Sequence, residues 1–95
     1  MVAELFEVVE ALTPYGGRSA TYEPLGSVWL KPGPVRQRER ADAGTSVMTE
    51  AVIAEARADP RLTAGRLLRF GGGDWRIALG ETVRGRARLN LERTR

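Results

Sequence analysis

The chain contains no cysteine and no histidine. The first absence excludes disulfides, thiol nucleophiles and thiolate metal sites, and the second removes the commonest general base and metal ligand. Aromatic residues are only 6% of the chain, too few to interleave with cations as a base-stacking surface does. No apolar run approaches the ~18 residues of a membrane span, and the start, "MVAELFEVVE", is acidic where a signal peptide is basic. These absences predict a cytoplasmic protein that is not an enzyme, with no catalytic residue, no metal, no cofactor and no membrane. Carboxylates remain, but Glu4, Glu7 and Glu10 share one segment, Asp74 stands in a turn, and nothing pairs any two for acid–base work.

What is present describes one folded domain over residues 1–95. At 42% hydrophobic and 28% charged the composition is globular, and 95 residues suffice for one small core. Charge is polarised along the chain. Residues 1–30 hold four acids and one arginine, whereas residues 60–95 hold nine arginines and three acids. An acidic end could meet the basic end of another copy, or a basic face could meet phosphate.

The clearest local signal is "RLLRFGGGDWRIAL", residues 66–79. Glycines that accept positive φ separate two apolar runs, as a tight hairpin requires. They do not open a helix, and no Lys-Ser or Lys-Thr follows, so a phosphate-cradling loop is disfavoured. Leu68 and Phe70 before the turn, and Trp75 and Ile77 after it, are expected in the core. In "RGRARLNLER" Ala87, Leu89 and Leu91 alternate with Arg84, Arg86 and Arg88, giving a strand with an arginine stripe outside. A further strand runs around residues 26–31, stopped by Pro32-Gly33-Pro34, with Val28 and Trp29 expected in the core.

Two segments fit either a helix or a strand: "ELFEVVEAL", and residues 46–59, where Val47, Thr49, Ala51 and Ile53 alternate in an alanine-rich run. Residues 33–46, "GPVRQRERADAGTS", hold almost no apolar residue and read as a long projecting loop, with or without a short helix. About five or six strands in so small a protein are most economically a closed antiparallel β-barrel, with that loop between its second and third strands. The fold class expected is therefore mostly β.

The order of these features resembles the head–tail joining proteins of tailed phages, also called head completion or stopper proteins, found in siphophages, prophages and gene transfer agents. The residues that carry the resemblance are Gly16-Gly17, "TYEPLGSVW" at 21–29, "RQRERADAG" at 36–44, the segment 47–57, "RLLRFGGGDWRI" at 66–77 and the closing strand at 87–92. It spans nearly the whole chain and implies that both ambiguous segments are strands. The chain departs from the family in its short acidic start and in "EARAD", where members often end the strand with arginine and tyrosine.

The resemblance implies a non-enzymatic ring below the portal and adaptor in the neck of a virion or phage-like particle, assembled in the bacterial cytoplasm. Such a ring, a hexamer or else a dodecamer, would retain packaged DNA and offer a surface to a tail terminator or tail tube protein. Residues 33–46 match the family's channel-facing segment, which places Arg36, Gln37, Arg38 and Arg40 toward double-stranded DNA without sequence readout. From the charge distribution, Glu4, Glu7 and Glu10 and the stripe Arg84, Arg86 and Arg88 are candidates for opposite sides of the contact between copies. The competing class is a free-standing nucleic-acid-binding small barrel that uses the arginine-rich C-terminal half.

Overall fold

The computed structural model describes residues 1–42 and 44–94, with side chains throughout except at 40–42, 45–47 and 94. The described residues form seven strands: β1 (Val2–Leu12), β2 (Arg18–Pro32), β3 (Arg36–Asp42), β4 (Thr45–Arg57), β5 (Leu67–Phe70), β6 (Gly73–Val83) and β7 (Arg86–Thr94). Among the described residues there is no helix. All pairings are antiparallel, in the order β2-β1-β5-β6-β7-β4-β3. A further β2–β4 pairing, from Leu30↔Ala56 to Pro32↔Ala54, closes six strands into a ring and leaves β3 outside it.

The departure of β3 is built into the sequence. Pro32 and Pro34 lack N–H groups and cannot continue a ladder. Gly33 between them donates to the Ile53 carbonyl at 2.9 Å, where a Cβ would lie 2.9 Å from that same oxygen. The chain therefore leaves the ring here and returns as β3 along the first half of β4, from Arg36↔Ala51 to Asp42↔Thr45. Arg36–Asp42, expected within a long loop with or without a helix, is thus a strand. Its polar sequence hid a strand because β3 lies beyond the core and has no apolar face to bury. With it, the strands among the described residues number seven rather than five or six.

The two ambiguous segments are both strands. In β1, Ala3 and Leu5 point into the ring, while Phe6 points out and is covered by the Arg69 guanidinium, 4.7 Å from its centroid. Apolar residues on both faces produced the helix-like spacing. In β4 the inward set is Val52, Ala54 and Ala56, not the alternation through Thr49, Ala51 and Ile53. Alanine, a good helix former, is accepted in a strand here because a six-stranded ring leaves little interior volume.

Leu68, Trp75, Ile77, Leu89 and Leu91 are buried as expected, and Phe70 packs partly buried against them. Trp29 is not in the core. Val28 and Leu30 point inward, so the two-residue period of the strand turns Trp29 outward, where it is 63% exposed. Leu79 also faces solvent, because a bulge between Ile77 and Leu79 flips the alternation.

The three glycines of the β5–β6 turn do two different jobs. Gly71 and Gly72, at φ 58° and 76°, form a two-residue turn of the kind whose twist matches the strands. Gly73 is needed for space, since a Cβ there would collide with the Arg93 guanidinium.

Another clamp holds the β4–β5 connection. Arg61 donates to the Leu25 carbonyl at 2.7 Å and to the Asp59 carboxylate at 2.7 Å. It sits over Gly26 (φ +111°), where a Cβ would lie 2.7 Å from Arg61 Nη1. Gly26→Ala is expected to lower stability by about 1–3 kcal/mol through backbone strain and displacement of Arg61, read as a shift in the urea midpoint.

Candidate functional site

The outer face of the ring is ordered in cross-strand rows. Lys31 lies opposite Glu55, Glu55 opposite Arg88 and Arg88 opposite Glu81, an alternating line of charge over four strands. The next row is Ile53, Asn90 and Leu79, with both leucine and isoleucine exposed. Beyond it lie Arg36, Ala51, Glu92 and Arg76, with Arg76 Nη2 3.4 Å from Glu92 Oε2. Where β3 rises from the sheet these rows floor a groove of about 520 Å³ that Arg36, Arg38, Ile53, Leu79 and Asn90 help to line.

The strand period sorts the residues expected to face a channel. Arg36 and Arg38 stand opposite Ala51 and Thr49 and share the groove side of β3, whereas Gln37, opposite Glu50, belongs to the other side. Arg40 occupies the same register parity as Arg36 and Arg38, and its side chain lies outside the described residues. The outer edge of β3 pairs with no strand among the described residues.

The acids proposed as one surface are divided. Glu4 stands opposite Arg69 on the outer side. Glu7, of opposite parity, lies 3.7 Å from Arg66, and Glu10 lies 3.9 Å from Arg18 across the hairpin. The arginine stripe is divided too. Arg88 is flanked by Glu55 and Glu81, and Arg86 lies 3.8 Å from Glu55. Arg84 forms the β6–β7 turn with Gly85, in the left-handed region at φ 52°. The stripe is therefore largely neutralised on the sheet, and exposed pairs of this kind are worth under ~1 kcal/mol each.

Two features escaped the sequence reading. The first is Trp29, exposed beside Arg57 and Lys31; its parity relative to Val28 and Leu30 was the available signal. The second is a partly buried ion pair at one end of the core. Glu50, 4% exposed, accepts from Arg93 Nη2 at 2.9 Å and Nε at 3.2 Å. The Arg93 guanidinium lies 4.3 Å from the Trp75 ring centroid, and Trp75 stacks on Phe70 at 5.9 Å. This assembly ties the base of the β3–β4 hairpin to the ring.

Two carboxylates, the half-buried Asp59 and the exposed Asp74, carry a pH signature. Side-chain hydrogen bonds from Arg61, then its backbone N–H, hold Asp59 below the usual carboxylate value of 3.8. Side-chain hydrogen bonds from Arg69 do the same for Asp74. Each folded-state value is depressed, so the stabilisation is present above the unfolded value and is lost as pH falls through the folded one. The melting temperature is expected to fall more steeply below pH 3.8, and Asp59→Asn to flatten that fall; an unchanged acid limb in Asp59→Asn would contradict the assignment.

Among the described residues no group of three or more acids could hold a metal ion. The surface offers charge, a groove and exposed apolar side chains. No family model matches the chain, and no curated protein matches it. Among solved structures it superposes on a chain of the virion of a native gene transfer agent particle with a TM-score of 0.75 and 19% identity. The match covers 100% of this chain and 94% of that one, a likeness of fold.

Proposed function

We propose that the protein is a structural connector of a phage-like particle, a stopper or head–tail adaptor that closes the channel below the portal. The six-stranded ring serves as a small barrel, and copies of the chain join head to tail into a larger ring, hexameric or else dodecameric. The portal or adaptor lies on one side of that ring and a tail terminator or tail tube protein on the other. The protein performs no reaction.

The observation that carries this reading is the β3–β4 hairpin. Its strand β3 stands outside the ring of six strands, while β4 belongs to the ring and is tied to β7 by Glu50 and Arg93, and the groove side of β3 bears Arg36 and Arg38. Beyond the last β4–β7 pair, Thr49↔Thr94, the hairpin continues through Glu39↔Met48 to Asp42↔Thr45, about 13 Å at ~3.3 Å per residue, which can project from each subunit toward a central channel. The fold likeness to a chain of a gene transfer agent virion supports the same reading. Over the whole excursion Arg36, Arg38 and Arg40 are offset by Glu39 and Asp42. Closure is therefore mainly steric, with weak, sequence-independent contact to duplex DNA.

Particles assembled without the protein test this. They are expected to fill and then leak, leaving heads without DNA and without tails; full, tailed particles would contradict it.

The exposed Trp29 beside Lys31 and Arg57 gives the second reading, a free-standing nucleic-acid-binding barrel, its specific support. That reading requires tight duplex binding by the isolated chain that weakens steeply with salt. Under the connector reading isolated copies bind DNA weakly.

A further inference from the structure

The β1–β2 hairpin is longer than the ring needs. β5 pairs with β1 only over Glu4–Phe6, and β4 pairs with β2 only over Leu30–Pro32. From Glu7 to Glu23 the two strands therefore pair with each other alone, from Glu7↔Glu23 to Leu12↔Arg18. A two-stranded ribbon by itself is marginal in water. This one also exposes Leu12, Tyr22 and, at its turn, Tyr15, which is 98% exposed. Residues 7–24 carry three acids, Glu7, Glu10 and Glu23, against one arginine, Arg18.

The complementary surface lies on the outer face of the same molecule, at the far end of the same strands. Val2 stands opposite Trp29, and Arg57 lies beside Trp29 in a depression of about 360 Å³. Arg57 is opposite Arg86, and Arg86 is opposite Val83. Val2, Trp29 and Val83 are 67%, 63% and 60% exposed. Around the depression Lys31, Arg57, Arg84 and Arg86 face one acid, Glu55. Tryptophan flanked by arginine is the composition of an interface hot spot, and valines at both ends of the row gain little from a phosphate backbone. A protein therefore fits this row better than a nucleic acid does.

We infer that the acidic ribbon of one copy docks on the Val2–Trp29–Arg57–Arg86–Val83 row of the next. The arm is negative where the row is positive, and its apolar tip supplies what the exposed tryptophan and valines need. The two surfaces differ, so the contact is heterologous and propagates head to tail, closing a ring when the rotation allows. This deepens the connector reading, which requires a self-assembling ring but does not say which surfaces join.

Because the chain has no cysteine, crosslinking tests the contact without background. The double variant Tyr15→Cys/Val83→Cys, treated with a short bismaleimide, is expected to give a covalent ladder beyond the dimer, both as purified protein at high concentration and in particles. Either single variant stops at the dimer. Adding Trp29→Ala should weaken association about thirty-fold, the effect of losing a hot spot, while leaving the melting temperature unchanged because the side chain is exposed.

No ladder in particles that contain the ring overturns this inference and leaves the connector reading standing. A ladder indifferent to Trp29→Ala overturns it as well. Quenching of Trp29 emission by a short DNA duplex, with the chain still monomeric, assigns the row to nucleic acid and overturns it too. Particles lacking any ring of this protein overturn the connector reading, and the ladder from purified protein then decides the docking contact independently.

Discussion

Glu50→Ala is expected to cost about 2–3 kcal/mol of folding stability, among the largest effects of any single change at a polar residue here. Breaking one half of a buried ion pair typically costs about 3–5 kcal/mol, because the remaining charge is left unpaired in a poorly solvated site. The lower figure applies because the Arg93 side chain is 36% exposed and can recover some hydration. The guanidinium would otherwise stay against Trp75, held between the ring face and Gly73 with no carboxylate to receive its N–H groups. Removing both partners should cost less than the two single changes added together, since Glu50→Ala/Arg93→Ala leaves neither member of this pair facing the gap left by the other. Urea denaturation of the four proteins gives the cycle. A Glu50→Ala loss below about 0.5 kcal/mol, the range of ordinary surface changes, would show that the pair does not hold the hairpin base.

The second large effect is functional. Particles carrying a chain with Arg36–Asp42 deleted are expected to keep the ring in the neck yet lose their DNA. The ring of six strands does not use β3: β4 retains β7 along one edge and β2 along the other at Leu30–Pro32. The shortened protein should therefore fold, and its circular dichroism and melting temperature should establish that before particles are scored. Arg36→Glu/Arg38→Glu, which reverses charge but keeps the strand, separates two ways of closing a channel. If closure is steric, it retains most of the DNA. If closure is an electrostatic clamp, reversing two charges per copy removes about two phosphate contacts from each subunit and should cost nearly as much as deletion. The net charge of the excursion favours the first outcome.

How much of this was legible beforehand depended on whether a residue's neighbours in sequence were also its neighbours in the core. β7 was readable because Ala87, Leu89 and Leu91 are all buried and the residues between them are polar. The Gly71-Gly72 turn was readable because the local backbone demands those residues. Trp29 was misplaced by weighing its size above its parity. Leu79 was hidden by a bulge that no alternation pattern announces. β3 was hidden because an edge strand outside the core needs only backbone pairing. The Glu50–Arg93 pair joins residues 43 positions apart, a relation that only the β4–β7 register creates. At the candidate site, the arginines of the excursion were visible as a cluster, but the separation of Arg36 and Arg38 from Gln37 by strand parity and the neutralisation of the Arg86–Arg88 stripe by Glu55 and Glu81 required the fold.

The most direct test of the connector reading is a cryo-electron microscopy map of the particle neck at a resolution that separates strands. A ring of copies of this chain is expected between portal and tail, each with its β3–β4 hairpin directed toward the channel. A neck in which every density is filled by other proteins, or in which the hairpins point away from the DNA path, would contradict it.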